Sequence, residues 1–218
     1  MAIKRHKIKV TRTAHYATIG EPGPHIRYCW IVCHGYGQLA QNFIRKFDQL
    51  EDGQSLIIAP EGLSRFYWGG FTGDVVASWM TKGDRLDEIA DYSNYLSTLY
   101  QQYIPQLAPD VKIILLGFSQ GVATQFRWIM RAFPKFHYLI LWAGLVPEDL
   151  DFRPHQAYFA EKQLHFVYGT NDPFLTEKRL TFHQEVIQKN NLDIKVRTFD
   201  GAHTIDREVL AGIFAEIT

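Results

Sequence analysis

The sequence predicts an α/β fold in which one mostly parallel sheet carries helices on both faces. Three observations predict it. Short β-branched and aromatic apolar runs recur at residues 28–33, 55–59, 111–116, 138–142 and 163–168, and such runs fill strands that are buried on both sides. Stretches with apolar residues at helical spacing alternate with them, which makes the connections between neighbouring strands helical crossovers. The length of 218 residues fits one domain over residues 1–218 and leaves no room for a second full one.

In chain order, residues 7–10 and 15–19 alternate polar and apolar side chains and predict two short strands at a sheet edge. The cluster Glu21-Pro22-Gly23-Pro24 is a loop. The run 28–33 leads directly into His34-Gly35-Tyr36-Gly37-Gln38. Phe43, Ile44, Phe47 and Leu50 predict a helix, and Ser55 to Ala59 a strand closed by Pro60. Residues 61–83 hold five glycines and the aromatics Phe66, Tyr67, Trp68, Phe71 and Trp79. A stretch of that length predicts an irregular loop with a use, here a wall of a substrate site. Asp84 is placed to cap a helix through Leu86, Ile89, Ser93, Leu96, Tyr100 and Tyr103. Thr176 is placed to cap another that reaches Ile187, and Asp206 one on Val209, Leu210, Ile213, Phe214 and Ile217. Residues 194–199 are the last strand. The roughly 20 residues between the strands at 138–142 and 163–168 are too few for a large lid domain.

Charge narrows the partners. The chain has 23 basic and 23 acidic residues, so its net charge argues for neither nucleic acid nor an anionic membrane, and a small molecule is the expected partner. No apolar run approaches the ~18 residues of a membrane span, and residues 1–10 lack the apolar core of a secretory signal. Cys29 and Cys33 share one predicted strand and stand roughly 13 Å apart, beyond disulfide reach. Buried free thiols are expected, in keeping with a cytoplasmic location.

The chemistry gathers at Gly117-Phe118-Ser119-Gln120-Gly121. A buried strand precedes it. A helix on Val122, Ala123, Phe126, Ile129, Met130 and Phe133 follows. So sharp a turn leaves no room for a Cβ two residues either side of the serine, where both positions are glycine. It lifts the Ser119 hydroxyl above the sheet and aims the first amides of the helix at the atom under attack. A serine needs a base, and the base an orienting acid. In folds of this kind the order along the chain is serine, acid, histidine, and functional groups collect at the carboxyl ends of the strands. Asp172 in Gly169-Thr170-Asn171-Asp172-Pro173 and His203 in Asp200-Gly201-Ala202-His203 fit both conditions. Asp200, and Glu148 or Asp149, are the rival acids. His34 precedes the serine and has no Cys, Asp or Glu at ligand spacing, so it reads as a loop-fixing residue and not as a base or metal ligand. The amides of Tyr36 and Gln120 are the candidate oxyanion donors, and Trp68, Trp79 and Trp142 the candidate substrate-binding aromatics.

With these residues in place the chain resembles the phospholipase/carboxylesterase family of α/β-hydrolases, which includes acyl-protein thioesterases. The resemblance rests on His34-Gly35-Tyr36-Gly37, Ser78-Trp79, Gly117 to Gly121, Gly169 to Pro173 and Gly201-Ala202-His203, and covers roughly Trp30 to the C-terminus. It implies Ser119 as nucleophile, Asp172 as acid, His203 as base and an oxyanion hole from Tyr36 and Gln120, with no metal and no cofactor. The chain departs from the family pattern at Val122, at Trp142-Ala143-Gly144 and at Thr176, positions that line or flank the acyl pocket. Hydrolysis of carboxylic esters is the expected activity, and thioesters would use the same groups. A non-catalytic module that holds a small acyl ligand, and an amidase or peptidase, are the alternatives; survival of nucleophile, acid and base together weighs against the first.

Overall fold

The computed structural model describes residues 2–217. Nine strands and six helices follow one another as β1 (Tyr16–Ile19), β2 (Tyr28–Cys33), α1 (Ala40–Phe43), β3 (Ser55–Pro60), β4 (Ser64–Tyr67), β5 (Val75–Ser78), α2 (Arg85–Tyr103), β6 (Lys112–Phe118), α3 (Gln120–Ala132), β7 (Tyr138–Trp142), α4 (Gln156–Phe159), β8 (Gln163–Gly169), α5 (Glu177–Lys189), β9 (Ile194–Phe199) and α6 (Arg207–Ile217). Seven of the strands form one sheet in the order β1-β3-β2-β6-β7-β8-β9. Only β1 is antiparallel, against β3, and every other pairing is parallel.

The alternation of side chains along the central strands divides the core into two. Cys29, Ile31, Cys33, Ile113 and Leu115 pack with the buried faces of α2 and α3. Trp30, Val32, Ile114, Leu116 and Phe118 pack with Phe43, Phe47, Leu210 and Ile213 on the other side. Both faces of these strands are therefore dry, which is why they read as unbroken apolar runs. Cys29 and Cys33 are buried free thiols, and burial raises both, Cys29 to about 12.

Sheet order places the functional loops. From β2 the chain moves outward to β3 and then returns to the opposite side of β2 as β6. The loops leaving β2 and β6 thus diverge from one crevice, the switch point where ligands of open α/β sheets bind.

Several elements differ from expectation. Residues 7–10 form no strand: Ile8 and Val10 are exposed, so no face of that segment is buried, and Arg5 and Lys7 pair instead with Asp84 and Asp87. The predicted helix at 43–50 is one α-turn followed by a 3-10 stretch over Ile44–Leu50. Ile44, Phe47 and Leu50, buried three apart, match the 3-10 period better than the α period. The stretch 61–83 is not irregular but contains the antiparallel hairpin β4–β5, with Ser64 opposite Ser78 and Tyr67 opposite Val75. Asp84 starts α2 without capping it through its side chain. Its backbone is left-handed (φ 48°) and its carboxylate faces Arg5 and Lys7, whereas capping requires an extended residue. Thr176 is extended but makes no side-chain cap, while Asp206 Oδ1 accepts the Val209 N–H at 2.9 Å as expected.

Two glycines separate the constraints on this fold. A Cβ at Gly121 would sit 2.1 Å from the Cys33 carbonyl oxygen, whereas at Gly212, within α6, its nearest neighbour would be Arg197 Nη1 at 3.9 Å. Gly121→Ala is expected to lower stability by about 2–3 kcal/mol in urea denaturation, and Gly212→Ala to raise it by about 0.5–1 kcal/mol.

Candidate active site

Ser119 alone joins β6 to α3, and its backbone (φ 52°, ψ −114°) lies where a residue with a Cβ is rarely found. Such a conformation costs about 1–3 kcal/mol and persists only when its surroundings enforce it. They do so here through backbone contacts. A Cβ at Gly117 would lie 2.4 Å from the Gly121 oxygen, and one at Gly144 would lie 2.4 Å from the Ser119 oxygen. The Ser119 N–H donates to the Trp142 carbonyl at 2.8 Å. The N–H of Gln120 opens α3 and has no hydrogen-bond partner among the described residues, so the positive end of the helix is directed at the mouth of the turn.

The candidate acid and base follow the last two strands, Asp172 after β8 and His203 after β9. His203 Nδ1 donates to Asp172 Oδ2 at 2.6 Å, and the Asp172 side chain is fully buried. The other carboxylate oxygen accepts the Phe174 N–H at 2.8 Å, so both oxygens are engaged. With its proton on Nδ1, the imidazole presents Nε2 as the acceptor. Its ring is held between Phe118 and Phe174, with centroids 4.9 and 4.7 Å away. The two loops are fastened backbone to backbone: Thr170 N–H donates to Phe199 O and Asn171 N–H to Gly201 O, both at 2.9 Å. A Cβ at Gly169 would lie 2.1 Å from the Gly201 oxygen. The rival acids have other partners. Asp200 accepts from Asn171 Nδ2 at 2.9 Å, Asp149 binds Arg85 and Arg127, and Glu148 is exposed.

The third segment is the loop after β2. His34 is buried and neutral, and desolvation lowers its pKa from 6.5 to about 4. Its Nδ1 donates to the Gly35 carbonyl at 2.7 Å and its Nε2 accepts the Gly62 N–H at 2.9 Å. It is thus a loop-fixing residue, as its position in the sequence suggested. The Tyr36 N–H, like that of Gln120, has no partner among the described residues. The Gln120 side chain ties α3 to the return strand of the hairpin, accepting from Trp79 N at 3.2 Å and donating to Met80 O at 3.0 Å.

The three tryptophans have separate roles. Trp68 is half-exposed on the hairpin and rests on Gly37, where a Cβ would meet its ring at 2.7 Å. Phe66 and the half-exposed Tyr36 complete an aromatic cluster with centroids 5.2 to 6.2 Å apart. Trp79 and Trp142, by contrast, are sealed in the two cores and present no ring face to an open pocket. Their indole N–H groups donate to His34 O and Thr204 O, both at 2.8 Å. The expectation that these two line a substrate site is corrected: they brace the loops that carry the candidate groups. Sequence reading named Phe66 only within the wall-forming stretch 61–83 and passed over Phe174 and the Tyr36 ring, whose only advance signal was their nearness to the motifs. No three His, Cys, Asp or Glu side chains among the described residues form a group able to hold a metal.

The strand order, the strained serine at a strand–helix turn and the aspartate–histidine pair define the α/β-hydrolase class. Within it, the family model for phospholipase/carboxylesterase matches residues 14–217, and the chain belongs to that family. No curated protein matches the chain in sequence. Among solved structures it is similar to acyl-protein thioesterase 2 of Zea mays (14% identity, 94% of this chain and 98% of that one, TM-score 0.71). It is also similar to esterase PE8 (17%, 95% and 100%, TM-score 0.66) and to a phospholipase/carboxylesterase of Dyadobacter fermentans (18%, 96% and 98%, TM-score 0.61). At these identities the likeness is one of fold. No helix among the described residues is long and apolar enough to cross a membrane.

Burial of two histidines makes the molecule acid-sensitive. His183 in α5 is buried, accepts the Val146 N–H at 2.9 Å and, like His34, is lowered from 6.5 to about 4 by desolvation. Between those values the unfolded chain takes up protons that the folded chain refuses, so stability is greatest above pH 6.5 and falls as pH drops towards 4. Moving from pH 7.5 to 5.5 is expected to cost on the order of 2–3 kcal/mol from the pair. Urea midpoints at the two pH values test this, and His183→Gln, which retains an acceptor, should remove about half of the loss.

Proposed function

We propose that this protein is a serine hydrolase that cleaves carboxylic esters, including thioesters, of small or medium acyl groups through an acyl-enzyme. The observation that carries the reading is the fully buried Asp172 carboxylate, 2.6 Å from His203 Nδ1. Burying an acid against one imidazole nitrogen leaves the other as a base, and the ring of Phe118, next in sequence to the strained serine, lies 4.9 Å from that imidazole.

In this reading Ser119 Oγ attacks the substrate carbonyl carbon while His203 Nε2 takes its proton. The imidazolium that forms is stabilised by Asp172, which remains ionised throughout. Negative charge gathers on the former carbonyl oxygen, and the amides of Tyr36 and Gln120 receive it. Collapse of the tetrahedral intermediate breaks the bond to the alcohol or thiol, which leaves with the proton returned by His203. A water deprotonated by the same histidine then releases the acid and restores the serine. No step calls for a metal or cofactor. Tyr36, Phe66 and Trp68 supply the apolar surface for the acyl or leaving group, placed beside one of the two oxyanion donors. The name of the maize neighbour, an acyl-protein thioesterase, favours thioesters as the second substrate class to assay.

A series of p-nitrophenyl esters of increasing acyl length, run beside acyl thioesters, tests the proposal. Ser119→Ala is expected to abolish turnover and labelling by a fluorophosphonate, and Asp172→Asn to lower kcat by about 10⁴-fold. A folded wild-type protein that turns over no ester and resists the fluorophosphonate would leave a non-catalytic ligand-binding module as the better reading. Trp68→Ala is expected to raise KM for the longer acyl chains several-fold and leave kcat for acetate esters near its original value.

A further inference from the structure

Resting on the hydrolase reading, we infer that His34 is a positioning residue whose Nδ1–H bond to the Gly35 carbonyl sets the direction of the Tyr36 N–H, and with it one half of the oxyanion hole.

The argument begins with the peptide unit. A trans peptide is planar and its C=O and N–H point in opposite directions. The Gly35 carbonyl and the Tyr36 N–H belong to the same unit. Whatever holds the carbonyl therefore aims the amide the other way. In this structure the holder is the His34 ring, at 2.7 Å. The ring cannot present the wrong nitrogen, because the Gly62 N–H donates into Nε2 at 2.9 Å and leaves Nδ1 as the protonated atom. Gly62 is itself wedged in place, since a Cβ there would lie 2.5 Å from the Ser78 oxygen.

The remaining groups of the loop are taken up one by one. The His34 carbonyl accepts the Trp79 indole N–H at 2.8 Å, the Gly35 N–H donates to Gln38 Oε1 at 2.8 Å and the Gly37 N–H donates to Ala77 O at 2.9 Å. Of the three successive amides at positions 35, 36 and 37, only that of Tyr36 has no partner among the described residues. Its direction is fixed by its own peptide's carbonyl while its proton stays available. An oxyanion donor needs both properties: a loose amide would have to reorient during the reaction, and a paired one would have to break a bond. The Gln120 amide meets the same requirement as the first N–H of α3, and the Gln120 side chain joins the two halves by accepting from Trp79 N.

Two substitutions separate this role from simple core packing. In His34→Asn the Nδ2 group can stand where Nδ1 stood and still donate to Gly35 O. In His34→Gln the side-chain oxygen can reach the Gly62 N–H, but no donor faces Gly35 O. Expected is a loss of about 10²-fold in kcat for His34→Gln, with KM within about 3-fold of wild type, and a His34→Asn protein within about 5-fold of wild type in both constants. Equal losses in the two variants, or a His34→Gln protein with wild-type kcat, would overturn the inference. If either variant melts below the assay temperature, Trp79→Phe substitutes for it. That change removes the indole donor to His34 O, so kcat should drop about 10-fold at constant KM, and an unchanged kcat would count against the inference. A wild-type protein inactive on every ester and thioester removes the hydrolase reading and this inference together, whereas an active wild type with unsplit variants removes only the latter.

Discussion

The structure depends on one close approach, the start of α3 against the ends of β2 and β6. At Gly121 the helix backbone lies so near the Cys33 carbonyl that a single carbon atom would not fit, and Gly117 is in the same position against Gly121. That contact holds Ser119 at its positive φ, and the face of the sheet shared with α2 buries the helix from Val122 to Ile129. Strain of a few kcal/mol at one residue is small beside the burial of Val122, Phe126 and Ile129 in the core below it. The strained turn is therefore a consequence of core packing and not an ornament added to it.

A second level of organisation lies in how the strand-end loops are joined. The Asp172 and His203 loops form one unit, locked by Gly169 against Gly201 and by paired backbone hydrogen bonds. Trp142 joins that unit to the serine. Its carbonyl receives the Ser119 N–H, and its indole reaches Thr204, the residue after His203. Trp79 does the same for the loop after β2, reaching from the hairpin return to His34. Two buried tryptophans thus act as struts between segments distant in sequence. Each ring is rigid, and its N–H fixes one end of the span.

What could be read in the sequence follows from these physics. β2, β3, β6, β7 and β8 are legible because both of their faces are dry, and α3 and α6 because their inner stripes are continuous. Ser119, Asp172 and His203 were singled out because a serine nucleophile demands partners at strand ends in a set order, and the structure sets Asp172 against His203 at 2.6 Å. The hairpin β4–β5 was not legible: no residue of β4 is fully buried, and the turn between its strands is rich in glycine, so it looks like loop. The 3-10 stretch at Ile44–Leu50 shares its apolar spacing with an α-helix over so few residues that periodicity alone cannot separate them. Trp79 and Trp142 were misread because composition shows only that a large aromatic is near the chemistry. Whether it faces outward or inward is decided by neighbours far away in sequence.

The two buried thiols have a consequence for how this molecule meets its surroundings. Cys29 and Cys33 point into the dry side of β2, and their ionisation is suppressed. A thiol that neither ionises nor meets solvent does not exchange, oxidise or capture electrophiles at a useful rate. The folded protein thus offers no thiol to the redox poise of its surroundings. An acylating or phosphonylating reagent that reacts with the folded chain therefore meets no competing thiol.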